Sequence, residues 1–172
     1  MWIPPYSYAE DKAHNFRCCA CHPKYAFVPQ SIVLYRENLQ SLTFRPKKDL
    51  MQNWILLASD FEQFLKEKSL SRKYGDLIFF HLLIGAMYLA KEEMTYKGKK
   101  IRVVAKVLKK YHANPFVKEK LTWKACVHYT AHIQSLFWKA LAFTLVFFLQ
   151  VHAYSILAAV LVLMSRLGID SL

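Results

Sequence analysis

Between Arg45 and Lys68 the large apolar residues recur every three or four positions, at Leu50, Trp54, Leu57, Phe61, and Phe64 or Leu65. That spacing predicts an amphipathic helix, with Pro46 just ahead of its start. The next stretch, YGDLIFFHLLIGAMYLAKEEM, is apolar on nearly every side, which predicts a second helix that is buried or lies against lipid. TYKGKK follows and reads as a turn, by its glycine and its charges. Beyond it, Ile101, Val104, Leu108 and Tyr111 form an apolar stripe beneath a charged face. From Ala140 to Ser165 the chain carries no formal charge. As one helix that run would be about 39 Å long, against ~30 Å of bilayer hydrocarbon. Residues 140–165 are therefore expected to span a membrane, although Gln150, His152 and Ser155 interrupt them. A buried hairpin in a helical bundle is the alternative for the same residues.

The front of the chain has a different texture. Residues 8–22, YAEDKAHNFRCCACH, read as a short helix ended by Pro23. KYAFVPQSIVLYREN clusters β-branched and aromatic residues around Pro29, which predicts two short strands, with SLTF as a third strand or a loop. Four segments result: a helix with short strands over 1–45, a helical hairpin over 46–96, a basic amphipathic segment over 97–124, and an apolar helical tail over 125–172.

Charge sharpens this picture. The 172-residue chain has a net charge of +12 with 55% hydrophobic and 15% aromatic residues. Residues 97–124 alone contribute +9. A polybasic segment next to an apolar tail suits an anionic leaflet, at about 1 kcal/mol per basic residue near the surface. By the positive-inside rule residues 1–139 would lie in the cytoplasm, with the chain peripheral or held by one C-terminal membrane segment. Trp123, Tyr129 and Trp138 fit an interfacial aromatic belt. KYHANPFVKEKLTWK would also suit single-stranded nucleic acid, but the adjoining apolar tail makes lipid headgroups the more economical partner, and nucleic acid is not expected.

No signal peptide is expected in MWIPPYSYAEDK, and the four cysteines give no disulfide framework, so a reducing, cytoplasmic setting follows. His14, Cys18, Cys21 and His22 share one helical face. One straight helix cannot wrap zinc, and Cys126, His128 or His132 would have to complete the site, so no metal is expected. His128 and His132 read as interfacial or core histidines.

EDKAHNFR followed by KYAFVPQSIVLYRENLQSLTF resembles the acceptor-side half of family 2 glycosyltransferases, inverting GT-A enzymes that build bacterial surface polysaccharides. In that family a Glu-Asp pair opens a helix and a basic residue follows six positions later, as Glu10, Asp11 and Arg17 do here. A Val-Pro-Glu-like step is matched by Val28, Pro29 and Gln30, and a Tyr-Arg pair with spaced hydroxyls by Tyr35, Arg36, Ser41 and Thr43. His14 and Asn38 depart from the family's usual leucine and histidine. The donor half, with its Pro-Thr-Tyr-Asn-like strand and metal-holding Asp-x-Asp, has no counterpart in the ten residues before Asp11.

The resemblance implies a mainly α chain with a short β element: the C-terminal portion of a GT-A α/β fold, followed by a helical, membrane-associating extension. It makes Asp11 the base that deprotonates an acceptor hydroxyl, with Glu10 orienting or binding the acceptor. Arg17 and Arg36 would hold the loop or offset phosphate charge, and Tyr35 and Ser41 would join them in binding substrate. Mg2+ or Mn2+ with a nucleotide-sugar belongs to a complete parent enzyme, and this chain alone carries no cofactor. It would then be inactive without its donor half, supplied by a partner or by upstream sequence. The rival is a non-enzymatic, basic membrane-binding protein, in which Glu10 and Asp11 do no more than favour a helix N-terminus.

Overall fold

The computed structural model describes residues 10–21 and 49–168, and every regular element among them is a helix. In chain order these are α1 (Glu10–Cys21), α2 (Leu50–Glu67), α3 (Ser71–Lys97), α4 (Ile101–His112), α5 (Pro115–Lys120), α6 (Trp123–Thr130), α7 (Leu136–Gln150) and α8 (Tyr154–Arg166). The expected fold class, a short β element within a GT-A α/β remnant, is overturned. Among the described residues there is no strand or sheet, and one hydrophobic core is closed by helices alone. The strands expected over 24–44 lie outside the described residues.

The Glu-Asp helix forms, but it lies on another helix. Ala13 is fully buried, Phe16 stacks on Phe61 of α2 with ring centroids 4.0 Å apart, and Arg17 reaches Asp60 of α2 at 2.7 Å.

α3 is the central element, packed between α2 and α4. The stripe Leu50, Trp54, Leu57, Phe61, Phe64 and Leu65 turns inward along α2. Trp54 Nε1 donates to the His81 carbonyl at 2.9 Å, while His81 Nε2 lies 3.3 Å from the Trp54 carbonyl and the two rings stack 4.6 Å apart. From α4, the Tyr111 hydroxyl donates to the Leu82 carbonyl at 2.8 Å. Burial pushes this phenol far above its ordinary pKa, so the proton that makes the bond stays in place. Both contacts cross the backbone of α3 at Gly85, where a side chain would stand in the way.

The C-terminal half is a set of shorter helices with legible starts. Asn114 accepts from the Phe116 and Val117 N–H groups ahead of Pro115, Thr122 accepts from Ala125, and Ser135 accepts from Trp138. α4 packs on α8, α8 on α7, and Gln150 Nε2 donates to the Leu121 carbonyl at 2.6 Å.

The apolar run over 140–165 is not one rod. α7 closes with N–H bonds from His152 to Leu149 and from Ala153 to Phe148, and His152 takes the left-handed conformation at φ +58°. The expected single membrane segment is thereby divided into pieces of 15 and 13 residues. The longer reaches about 22 Å, short of ~30 Å of hydrocarbon. Among the described residues no helix is long and apolar enough to cross a membrane.

Lys120 ties α5 to α2 by pairing with Glu62, which also meets Lys66. Partial burial works against ionisation of Glu62, but Lys120 and Lys66 outweigh it and hold the carboxyl below its ordinary pKa. Burial opposes the charge on Lys120 too, and Glu119 and Glu62 outweigh it and raise that pKa. The Glu62 contribution is therefore present above the ordinary carboxylate pKa and lost as pH falls through the lowered value. The Lys120 contribution is present below the ordinary lysine pKa and lost as pH rises through the raised one. Glu62→Gln is expected to lower stability by about 0.5–1 kcal/mol at neutral pH, with the gap to wild type closing in acid. Urea midpoints at the two pH values check this, and an equal gap at both would refute it.

Candidate membrane interface

The corner between α6 and α7 presents apolar side chains to solvent in succession. Ser135 caps α7 through the Trp138 N–H, which fixes the first turn so that Leu136, Phe137 and Trp138 fan outward, 83%, 50% and 44% exposed. Three consecutive large apolar residues at a helix tip are unusual on a folded surface. The Phe137 and Trp138 rings meet edge to face at 5.1 Å, so the tip is a shaped wedge and not loose side chains. Behind it, Trp138 helps line a groove of about 300 Å³ between α3 and α7, with Phe80, Ile84 and Met87 on one wall and Ile133 and Leu145 on the other. Its lining is almost wholly apolar.

The electrostatics favour negative partners. Lys124 on α6 is exposed, Lys139 stands in the first turn of α7, and no acidic residue occurs between Glu119 and Asp170. Exposed Arg102, Lys106, Lys109 and Lys110 line the outer side of α4, whose inner side buries Val104, Leu108 and Tyr111. Cys126 sits buried in the middle of α6, and burial pushes its thiol up to about 11, which makes it an inert packing group.

The three aromatics assigned to an interfacial belt divide. Trp138 is at the wedge. Trp123 is half exposed but packs edge-on against Phe143 at 5.2 Å, joining α6 to α7. Tyr129 is partly buried against Phe79 at 5.6 Å and serves the interior. Leu136 and Phe137 went unassigned in the sequence, although QSLFWK, an N-cap serine before three large apolar residues and a lysine, carries the signal.

The residues expected to handle an acceptor sugar do not assemble into a site among the described residues. Glu10 and Asp11 open α1, as a helix N-terminus favours. Arg17 is engaged by Asp60 and lies 4.7 Å over the Phe64 ring, which makes it a tie between α1 and α2. Tyr35, Arg36 and Ser41 lie outside the described residues, as does His22. Cys18 Sγ and His14 Nε2 are 3.4 Å apart, one helical turn from each other, and Cys19 and Cys21 face outward. Among the described residues no three metal-ligating side chains gather. His128 and His132 are both exposed, so neither is a core histidine.

A scan of protein-family models, a search of curated proteins and a search of solved structures found nothing that matches this chain.

Proposed function

We propose that this chain is a non-enzymatic, basic protein that docks peripherally on anionic membranes, from the cytoplasmic side. One observation carries the reading: the exposed wedge Leu136–Phe137–Trp138 sits in a fifty-residue stretch without a single acidic residue. A wedge of this kind enters the headgroup–acyl boundary, while Lys124, Lys139 and the cations of α4 and α5 add long-range attraction. The apolar groove behind the wedge suits an acyl chain drawn from the leaflet. Transfer of a sugar within a larger assembly is the rival; it rests on the resemblance in residues 8–45 and draws no support from the described helices.

Flotation of the full chain with vesicles tests the docking. Binding to phosphatidylglycerol vesicles is expected at low salt and little to phosphatidylcholine. It should weaken strongly toward about 1 M salt, where the Debye length is about 3 Å. Equal recovery on both vesicles, or on neither, would overturn the reading.

A further inference from the structure

The last turn of α4 meets the α7–α8 corner and α5 around a pocket of about 550 Å³. The lining is Lys109, His112, Ala113, Lys118, His152 and Tyr154, none of them acidic. The Tyr154 hydroxyl stands between two imidazoles, 3.0 Å from His112 Nδ1 and 2.8 Å from His152 Nδ1. With one proton, it donates to one ring and accepts the N–H of the other. His112 is 98% buried, and its Nε2 is left without a partner. A buried polar atom left unsatisfied costs about 1–3 kcal/mol.

Two backbone features point the same way. His152 occupies the left-handed position that closes α7, where glycine is the ordinary occupant. A side chain there costs about 1–3 kcal/mol. The fold thus tolerates strain to place this imidazole on Tyr154. Tyr154 is also the first residue of α8, and Ala153 before it offers no side-chain cap, so the positive end of a 13-residue helix opens beside the pocket.

We propose that this pocket binds a phosphomonoester-class oxyanion, held by Lys109, Lys118 and His152, with the Tyr154 hydroxyl fixing the two imidazoles. Cations from α4 and α5, an imidazole from the α7–α8 corner and a helix N-terminus approach from different elements. A tetrahedral anion with several acceptor oxygens satisfies such a set better than a planar carboxylate. Burial, with His152 and Lys118 adding to it, holds the His112 pKa below the ordinary histidine value. An anion among these groups would offset the two charge contributions, so binding should draw a proton onto His112. The site is separate from the wedge and stands whether or not the protein docks on membranes.

The test is a titration of the full chain with inorganic phosphate, followed by the imidazole resonances of His112 and His152, with chloride at equal ionic strength as control. Both resonances should shift with phosphate and not with chloride. His152→Gly suits the left-handed backbone and should fold at least as well as wild type, yet it should weaken phosphate binding about tenfold, the loss of one charge-assisted contact. Lys118→Gln should do the same. Vesicles of phosphatidic acid against phosphatidylglycerol at matched charge separate the sources. A preference for phosphatidic acid that His152→Gly removes identifies a lipid headgroup; equal vesicle binding with an intact phosphate response identifies a soluble phosphoester. An absent phosphate shift, or a shift unchanged in both variants, would overturn the proposal.

Discussion

Gly85→Ala is expected to destabilise the protein by about 2–4 kcal/mol, although in an isolated helix the same change stabilises by about 1 kcal/mol. A Cβ at Gly85 would fall well inside van der Waals contact with the Trp54 indole and 2.8 Å from the Tyr111 hydroxyl. Those two groups come from the helices on either side of α3, and each donates to a carbonyl one turn before Gly85. Neither can retreat while keeping its bond, because Trp54 is also stacked on His81 and Tyr88, and Tyr111 has no exposed surface. Overpacking costs about 1–3 kcal/mol and each displaced hydrogen bond about 1 kcal/mol, which outweighs the gain in helix propensity. For a chain of this size the melting temperature should fall by about 5–15 °C. Tyr111→Phe, made on wild type and on Gly85→Ala, isolates the mechanism. Its cost of about 1 kcal/mol should shrink in the alanine background, where the bond is already displaced. A Gly85→Ala protein that melts at or above wild type would refute this account of the α2–α3–α4 contact.

That glycine illustrates what a one-dimensional pattern can and cannot carry. Periodicity placed Leu50, Trp54, Leu57 and Phe61 on the inner face of a helix, because burial selects residues three and four apart wherever a core lies on one side. It did not mark Gly85 as the point where two flanking helices reach a third, since a missing side chain leaves no apolar signal. In residues 97–124 the stripe Val104, Leu108 and Tyr111 was legible, but the charge run drew α4, α5 and the start of α6 into one segment and hid the breaks at Asn114-Pro115 and Thr122. Between Ala140 and Ser165 the turn was not legible. Glycine and proline announce most reversals, and here a histidine adopts the glycine conformation. The strands suggested by the clustered β-branched residues of 24–44 lie outside the described residues; among those described, α1 packs on Phe61 and Phe64 of α2. At the candidate interface the excess of positive charge could be counted directly. The exposure of Leu136 and Phe137 could not, because it depends on which apolar residues the bundle has room to cover.

The double substitution Leu136→Ser with Phe137→Ser is expected to weaken partitioning onto phosphatidylglycerol vesicles by roughly thirtyfold to several hundredfold. Fully burying a leucine or phenylalanine is worth about 1.5–3 kcal/mol each. The two side chains are 83% and 50% exposed in the folded chain, so about 2–4 kcal/mol is left to be gained at a membrane, and each 1.4 kcal/mol is tenfold. Stability should hardly change, since neither residue belongs to the buried core. The loss should persist at high salt, because it comes from apolar contact. Lys124→Gln with Lys139→Gln gives the opposite profile: at about 1 kcal/mol per charge it should weaken binding by roughly thirtyfold at low salt and little at high salt. Flotation isotherms for the two variants at two salt concentrations separate insertion from attraction. If the serine variant floats like wild type while the glutamine variant does not, the corner does not insert, and the basic residues alone hold the protein at the surface.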